Sequence, residues 1–228
     1  MPRRAVLWLL VCAPLAAVAA PIPPEDDRAK IQRIYGTWTD PDKDCTFKLN
    51  GGELKILIPA TEHRMKGAGL RAPNNAPRTL REVDGDFTAV LRVAFPIPAQ
   101  PGPKAPWLIF SGGLLAWESD AEYLMVRRGR VSVDSFREAI CRQHSTAKEE
   151  TLAIQGCDDP AGAAFLRLKR EGNKVGVGWS RDGKEWTDFP QRDVAWGGKV
   201  KVGVVAENFL GVPVEVTFDQ YSLVQPKK

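Results

Sequence analysis

Histidine is nearly absent from this chain: His63 and His144 are the only two in 228 residues. They lie in separate polar stretches, so a histidine-based triad or a zinc site has almost nothing to draw on. No serine-centred elbow and no glycine-rich phosphate loop occur either. Charge of one sign is also scarce. The formal net charge is +4, and two of those charges belong to Arg3 and Arg4 near the start. A balance this mild, without basic runs beyond short pairs, argues against a nucleic-acid partner. Long apolar runs are missing as well. The stretch Ala5–Ala20 has 16 residues, short of the roughly 18 needed to span a bilayer.

That stretch has a different use. Arg3 and Arg4 precede it, and it ends in Ala16-Ala17-Val18-Ala19-Ala20. A basic start, an apolar middle and a small-residue end describe a secretory signal peptide. The Ala17-Val18-Ala19 site places the cut before Ala20, so residues 1–19 are the leader. Cutting after Ala20 would put Pro21 at the new terminus, where its fixed φ fits a peptidase poorly. Cys12 lies inside the apolar stretch after Val11, which does not fit a lipid-anchored cysteine. The mature chain is expected to be extracytoplasmic, with no membrane attachment.

Three cysteines follow the leader: Cys45, Cys141 and Cys157. An exported protein meets an oxidising compartment, and an odd count leaves one thiol over. Cys45 alternates with Phe47 and Leu49 on one apolar strand face, as a small buried hydrophobe does. Cys141 and Cys157 flank a polar stretch and are the expected disulfide.

About 205 residues remain after the leader, enough for one β domain with a real core. Residues 20–35, rich in proline and charge, read as a tether. Beyond it the hydrophobic period is two. Leu54, Ile56 and Ile58 alternate with more exposed positions. So do Phe87, Ala89, Leu91 and Val93, then Val200, Val202 and Val204, then Val214, Val216 and Phe218. Each set marks a half-buried strand. Turn signals separate them at Asn50-Gly51-Gly52, Asp84-Gly85, Glu171-Gly172-Asn173 and Asp182-Gly183. Many short strands at this spacing predict an all-β, two-sheet antiparallel jelly-roll sandwich over residues 36–225. Two segments break the rhythm and are expected as excursions from the rim. Residues 95–107 carry five prolines, which exclude a central strand. Residues 129–163 are mostly polar, and within them 136–142 fits either a strand or a short helix.

A series of short motifs runs through this region. It begins with Asp40-Pro41-Asp42-Lys43-Asp44-Cys45, Asn75-Ala76-Pro77-Arg78 and Gly113-Leu114-Leu115-Ala116-Trp117. It continues with Phe165-Leu166-Arg167-Leu168 and Ser180-Arg181-Asp182-Gly183-Lys184-Glu185-Trp186-Thr187. It ends with Val202-Gly203-Val204-Val205-Ala206-Glu207-Asn208. In this order the series resembles a domain-of-unknown-function family that includes the fungal "regulation of enolase" proteins. That family falls within the concanavalin A-like lectin/glucanase superfamily. The resemblance spans about Gly36 to Val224 and implies a concanavalin-like sandwich; it implies no particular reaction.

Four candidate sites follow. Glu118-Ser119-Asp120-Ala121-Glu122 is similar to the catalytic strand of laminarinase-type glucanases. A retaining mechanism needs two carboxyls about 5–5.5 Å apart, whereas i and i+4 on a regular strand lie about 13 Å apart. Apolar runs on both sides, Leu114–Trp117 and Tyr123–Val126, make a hairpin loop the better reading. Asp40, Asp42 and Asp44 alternate as the opening ligands of a calcium loop do. An EF-hand would need glycine at Cys45 and glutamate at Gly51, so only a looser structural calcium site fits; the alternative is a solvated turn. Ser180–Thr187 is one residue short of an Asp-box, and its role is expected to be structural, with Trp117 and Trp186 serving as packing anchors. The fourth site is a strand face offering Tyr123, Arg127, Arg167, Lys169 and Glu207, a polar and aromatic floor suited to a sugar chain. The expected function is therefore a non-catalytic binding module with carbohydrate as its ligand. A glycan hydrolase or lyase using Glu118, Glu122 or Glu207 is the second reading, and a structural or protein-contact domain the third.

Overall fold

The computed structural model describes residues 25–65, 74–95, 108–132, 136–146, 150–157, 163–209 and 211–226. The leader and most of the proline-rich segment lie outside them. One helix, α1 (Glu25–Ile34), opens the domain. Strands β1 (Thr37–Thr39), β2 (Thr46–Asn50), β3 (Glu53–Ile58), β4 (Arg78–Asp84) and β5 (Phe87–Ala94) follow. Next come β6 (Leu108–Trp117), β7 (Tyr123–Ser132), β8 (Phe136–Ser145), β9 (Glu150–Gly156) and β10 (Ala164–Glu171). The chain closes with β11 (Lys174–Ser180), β12 (Thr187–Asp188), β13 (Arg192–Asp193), β14 (Lys199–Asn208) and β15 (Val214–Val224).

The strands form two antiparallel sheets. Sheet A has the order β1-β4-β14-β6-β7-β8-β9, and sheet B the order β12-β11-β10-β5-β15-β3-β2, with β13 also on β11. Neighbouring positions joined by long crossovers, such as β4 beside β14 and β5 beside β15, are those of a jelly roll. The main core lies between the sheets. From sheet B it takes Phe47, Ile56, Leu91, Leu166 and Phe218, and from sheet A Leu114, Leu124, Val126, Val202 and Val204. Alternation explains the sheet B strands. On β5 and β10 every second residue is buried, because the pleat sends successive side chains to opposite faces. Cys45 and Phe47 are buried and Leu49 packs beside them, on the face their alternation indicated.

Three expectations need correction. The stretch read as a tether contains α1, whose Ile31 lies in the core together with Tyr35 just beyond it. The Tyr35 hydroxyl shares its single proton between the carbonyls of Gly52 (2.7 Å) and Phe218 (2.9 Å). The charge order gives the reason: Glu25, Asp26 and Asp27 sit at the positive end of the helix dipole and Arg33 at the negative end. Gly36 then stops the helix at φ 102°, a conformation that suits glycine, and a Cβ there would strike the Leu80 backbone.

The second correction concerns residues 129–163. Their described part is not a rim excursion: β8 and β9 extend sheet A, and 136–142 is strand.

The third is the disulfide. Cys157 is a free, buried thiol, as is Cys45. The β8–β9 register sets Cys141 opposite Ile154. Cys157 is thus offset by three positions, roughly 10 Å along the strand, beyond the ~7 Å Cα separation a disulfide tolerates.

Candidate functional site

The outer face of sheet A was expected to be open. It is closed by the chain itself. Residues flanking the 66–73 segment cross it, and Met65 and Ala76 form a second apolar cluster with Leu80, Leu115, Tyr123, Met125 and Val205, with Trp117 at its margin. Under this cover lies a polar chain. The carboxylate of Glu207 accepts the Met65 backbone N–H (2.9 Å), the Ser111 hydroxyl (2.8 Å) and a guanidinium N–H of Arg127. Arg127 also donates to Gln143 Oε1 (2.7 Å), and Gln143 Nε2 donates to the Tyr123 hydroxyl (2.8 Å). Tyr123, Arg127 and Glu207 are at most 3% exposed. Arg127 and Glu207 neutralise one another, as buried charge requires. These three residues therefore hold the covering segment to the sheet and present nothing to a ligand. This corrects the expected sugar-binding floor and removes Glu207 as a catalytic acid.

Arg167 and Lys169 stand on the outer face of the other sheet. Arg167 donates to both oxygens of Asp188 (2.8 and 3.0 Å), and its guanidinium lies 4.3 Å from the ring centre of Trp186, a cation–π distance. Lys169 pairs with Glu171 at 2.7 Å. Both bases line a small recess with Asp188, Phe189 and Gln191.

Beside it, the turn after β11 builds a larger concavity of about 530 Å³. Its lining includes Trp179, Trp186, Arg181, Asp182, Glu185 and Thr187. The turn is rigid for a local reason. Asp182 Oδ1 accepts the N–H groups of Lys184 (2.8 Å) and Glu185 (3.1 Å) and the hydroxyl of Ser180 (3.0 Å). These bonds, led by the Lys184 amide, hold the Asp182 carboxyl below the usual carboxylate range. The structural role expected for Asp182-Gly183 is thus present. Trp186 and Trp117 are half-buried, however, and Trp186 keeps part of its surface for the concavity. Trp179 is anchored through its indole N–H to Gln155 Oε1 (2.9 Å). The sequence placed Trp186 in this turn but gave no sign that Trp179 would share a hollow with it.

Glu118–Glu122 is the β6–β7 connection. The Glu118 and Ser119 amides both donate to the Glu122 carbonyl at 3.0 Å, and residues 118–121 are exposed. Asp120 accepts from Asn74 (2.6 Å). The hairpin reading holds: none of these acids sits in a cleft or on a catalytic strand.

Asp40, Asp42 and Asp44 do not converge on one point. Asp40 caps its own loop, accepting the Lys43 (3.2 Å) and Cys45 (2.9 Å) amides; burial raises its carboxyl above the ordinary value. Asp42 accepts from Asn75 (2.6 Å), and Asp44 faces His63 (2.9 Å). The expected calcium trio is therefore not assembled. His63 is fully buried, and His144 lies on β8, not in a loop.

No protein-family model matches the chain, and no curated protein matches it in sequence. Solved structures do match in shape. A functionally unknown protein from Saccharomyces cerevisiae superposes with a TM-score of 0.69 at 16% identity, covering 84% of this chain and 97% of that one. A GH43 protein from Bacillus licheniformis gives 0.59 at 17% identity, over 83% of this chain but 37% of the other. An alginate lyase from Klebsiella pneumoniae gives 0.55 at 12%, over 79% and 84%. At these identities the likeness concerns the fold, and the fold is a concanavalin-like, two-sheet jelly-roll sandwich.

Proposed function

We propose that this chain is an extracytoplasmic, non-catalytic carbohydrate-binding module, with the tryptophan-bearing edge of sheet B as its binding surface. One observation carries the reading: Trp179 and Trp186 share an open concavity with Arg181, Asp182 and Glu185. Aromatic faces beside a few fixed polar groups make a site for a ring with apolar faces and hydroxyl edges. Arg167 and Lys169 extend the polar rim. The fold supports the reading, since the similar solved structures include glycan-processing proteins. In the GH43 protein the matched part is a fraction of a longer chain, as a binding module would be. The leader-like N-terminus supports export, and no described helix is long and apolar enough to cross a membrane. The order of motifs also supports grouping the chain with the family that includes the fungal "regulation of enolase" proteins.

A glycan array probed with the mature protein tests the proposal. Binding to one glycan class, lost in Trp186→Ala with the fold intact, is the expected result. An array without binding, or equal binding by the variant, rejects it. A protein-contact role is a second reading, favoured by Leu152 and Ile154, which are exposed on the edge strand β9.

A further inference from the structure

The loop joining β1 to β2 meets the segment after β3 at one buried point. Asp44, Cys45 and His63 each direct a donor atom there, and the three atoms lie within 4.8 Å of one another. Cys45 Sγ is 3.6 Å from Asp44 Oδ1. His63 Nε2 is 2.9 Å from Asp44 Oδ1 and 3.7 Å from Asp42 Oδ2. Around a tetrahedral zinc ion, with bonds of about 2.0–2.3 Å, neighbouring donors stand about 3.3–3.6 Å apart. Asp44 Oδ1 thus stands near tetrahedral spacing from both other donors, and drawing the Cys45 and His63 donors onto one ion takes a shift of about 1 Å or less.

The second observation is the hydrogen bonding of His63, which is 0% exposed. Its Nδ1 lies 3.0 Å from the carbonyl oxygen of Thr61. A carbonyl only accepts, so Nδ1 donates to it, which fixes the ring and leaves Nε2 as the nitrogen that faces Asp44 at 2.9 Å. A ring nitrogen donating to a backbone carbonyl is also the usual outer support of a metal-bound histidine. The loop that carries the thiol and the carboxylate is steadied as well. Asn75 donates to Asp42, and Asp40 caps the turn that brings Cys45 inward.

We propose that Asp44, Cys45 and His63 form a structural zinc site that ties the β1–β2 loop to the segment covering sheet A, with water in the fourth tetrahedral position. The sulfur and imidazole donors select zinc or a similar borderline ion over calcium. Binding would release the thiol proton to solvent and leave a thiolate on the metal. Scarcity of histidine is no obstacle, because one histidine suffices when a thiolate and a carboxylate share the ion.

The full-length protein, stripped with chelator under reducing conditions, is titrated with Co²⁺. The expected result is a thiolate-to-cobalt charge-transfer band with tetrahedral visible bands, saturating at one equivalent and displaced by Zn²⁺. Zn²⁺ also raises the melting temperature, and Ca²⁺ does not. Cys45→Ser abolishes the charge-transfer band. Asp44→Asn, on a partly exposed loop residue, weakens binding at least tenfold while leaving the circular dichroism unchanged. No cobalt spectrum in the wild-type protein would mean that a proton closes the His63–Asp44 contact, and would overturn the proposal. So would binding by Cys45→Ser and Asp44→Asn equal to wild type, or equal stabilisation by Ca²⁺.

Discussion

On β5 and β10 of sheet B, burial alternates residue by residue, and the outward residues Thr88, Arg92, Arg167 and Lys169 meet solvent to some degree. On β6, β7 and β14 of sheet A, runs such as Leu114-Leu115-Ala116, Tyr123–Arg128 and Val202–Asn208 are buried on both faces. The same pleat thus serves two environments. Sheet B has a core side and a water side. The middle of sheet A has a core side and a side sealed by the chain's own covering segment. With the sheet A face filled, the proposed binding role falls to the tryptophan-bearing edge of sheet B, where Trp179 and Trp186 line an open concavity.

The difference can be broken most severely at Glu207. Glu207→Ala leaves Arg127 buried without a counter-charge, and should cost about 3–5 kcal/mol, measured by urea unfolding. Met65→Ala attacks the same seal through packing and should cost about 2–5 kcal/mol, depending on how far the cluster collapses. On the core side, Tyr35→Phe removes the one proton that two carbonyls share and should cost about 1–3 kcal/mol.

Tyr35 also predicts a pH dependence. Burial holds its hydroxyl well above the ordinary tyrosine value. The unfolded chain therefore ionises first, from about pH 10, and stability falls as pH rises beyond that point. Tyr35→Phe should flatten this alkaline decline in a melting series. The smallest effect belongs to sheet A's solvent-exposed margin: the Lys199–Glu82 pair at 2.9 Å is exposed on both sides. Lys199→Ala should leave the urea unfolding curve indistinguishable from that of the wild type.

The strands of sheet B were legible because each has one apolar face, and water enforces the period of two. The seal over sheet A was harder to read. An outward Tyr123, Arg127 or Glu207 looks the same in sequence whether water or a loop covers it. The covering segment has no period of its own, and Arg127 and Glu207 are separated by 80 positions. A signal was nevertheless present. Leu114-Leu115-Ala116, Tyr123-Leu124-Met125-Val126 and Val204-Val205-Ala206 are unbroken apolar runs, which in a strand mean burial on both faces. Helix α1 was missed for the opposite reason: its composition is polar, and only its charge order and the spacing of Ile31 from Tyr35 mark it. At the candidate sugar site, the Asp182 turn could be read from local chemistry. The meeting of Trp179 with Trp186 depends on how the turn folds back.

Hydroxyl-radical footprinting of the intact protein tests the contrast between the two faces most directly. The account predicts strong labelling of Trp186 and protection of Tyr123, Met125 and Met65, with Glu207→Ala restoring labelling at Tyr123 and Met125. Labelling of Tyr123 and Met125 in the wild-type protein as strong as that of Trp186 would contradict it, because the outer face of sheet A would then be open.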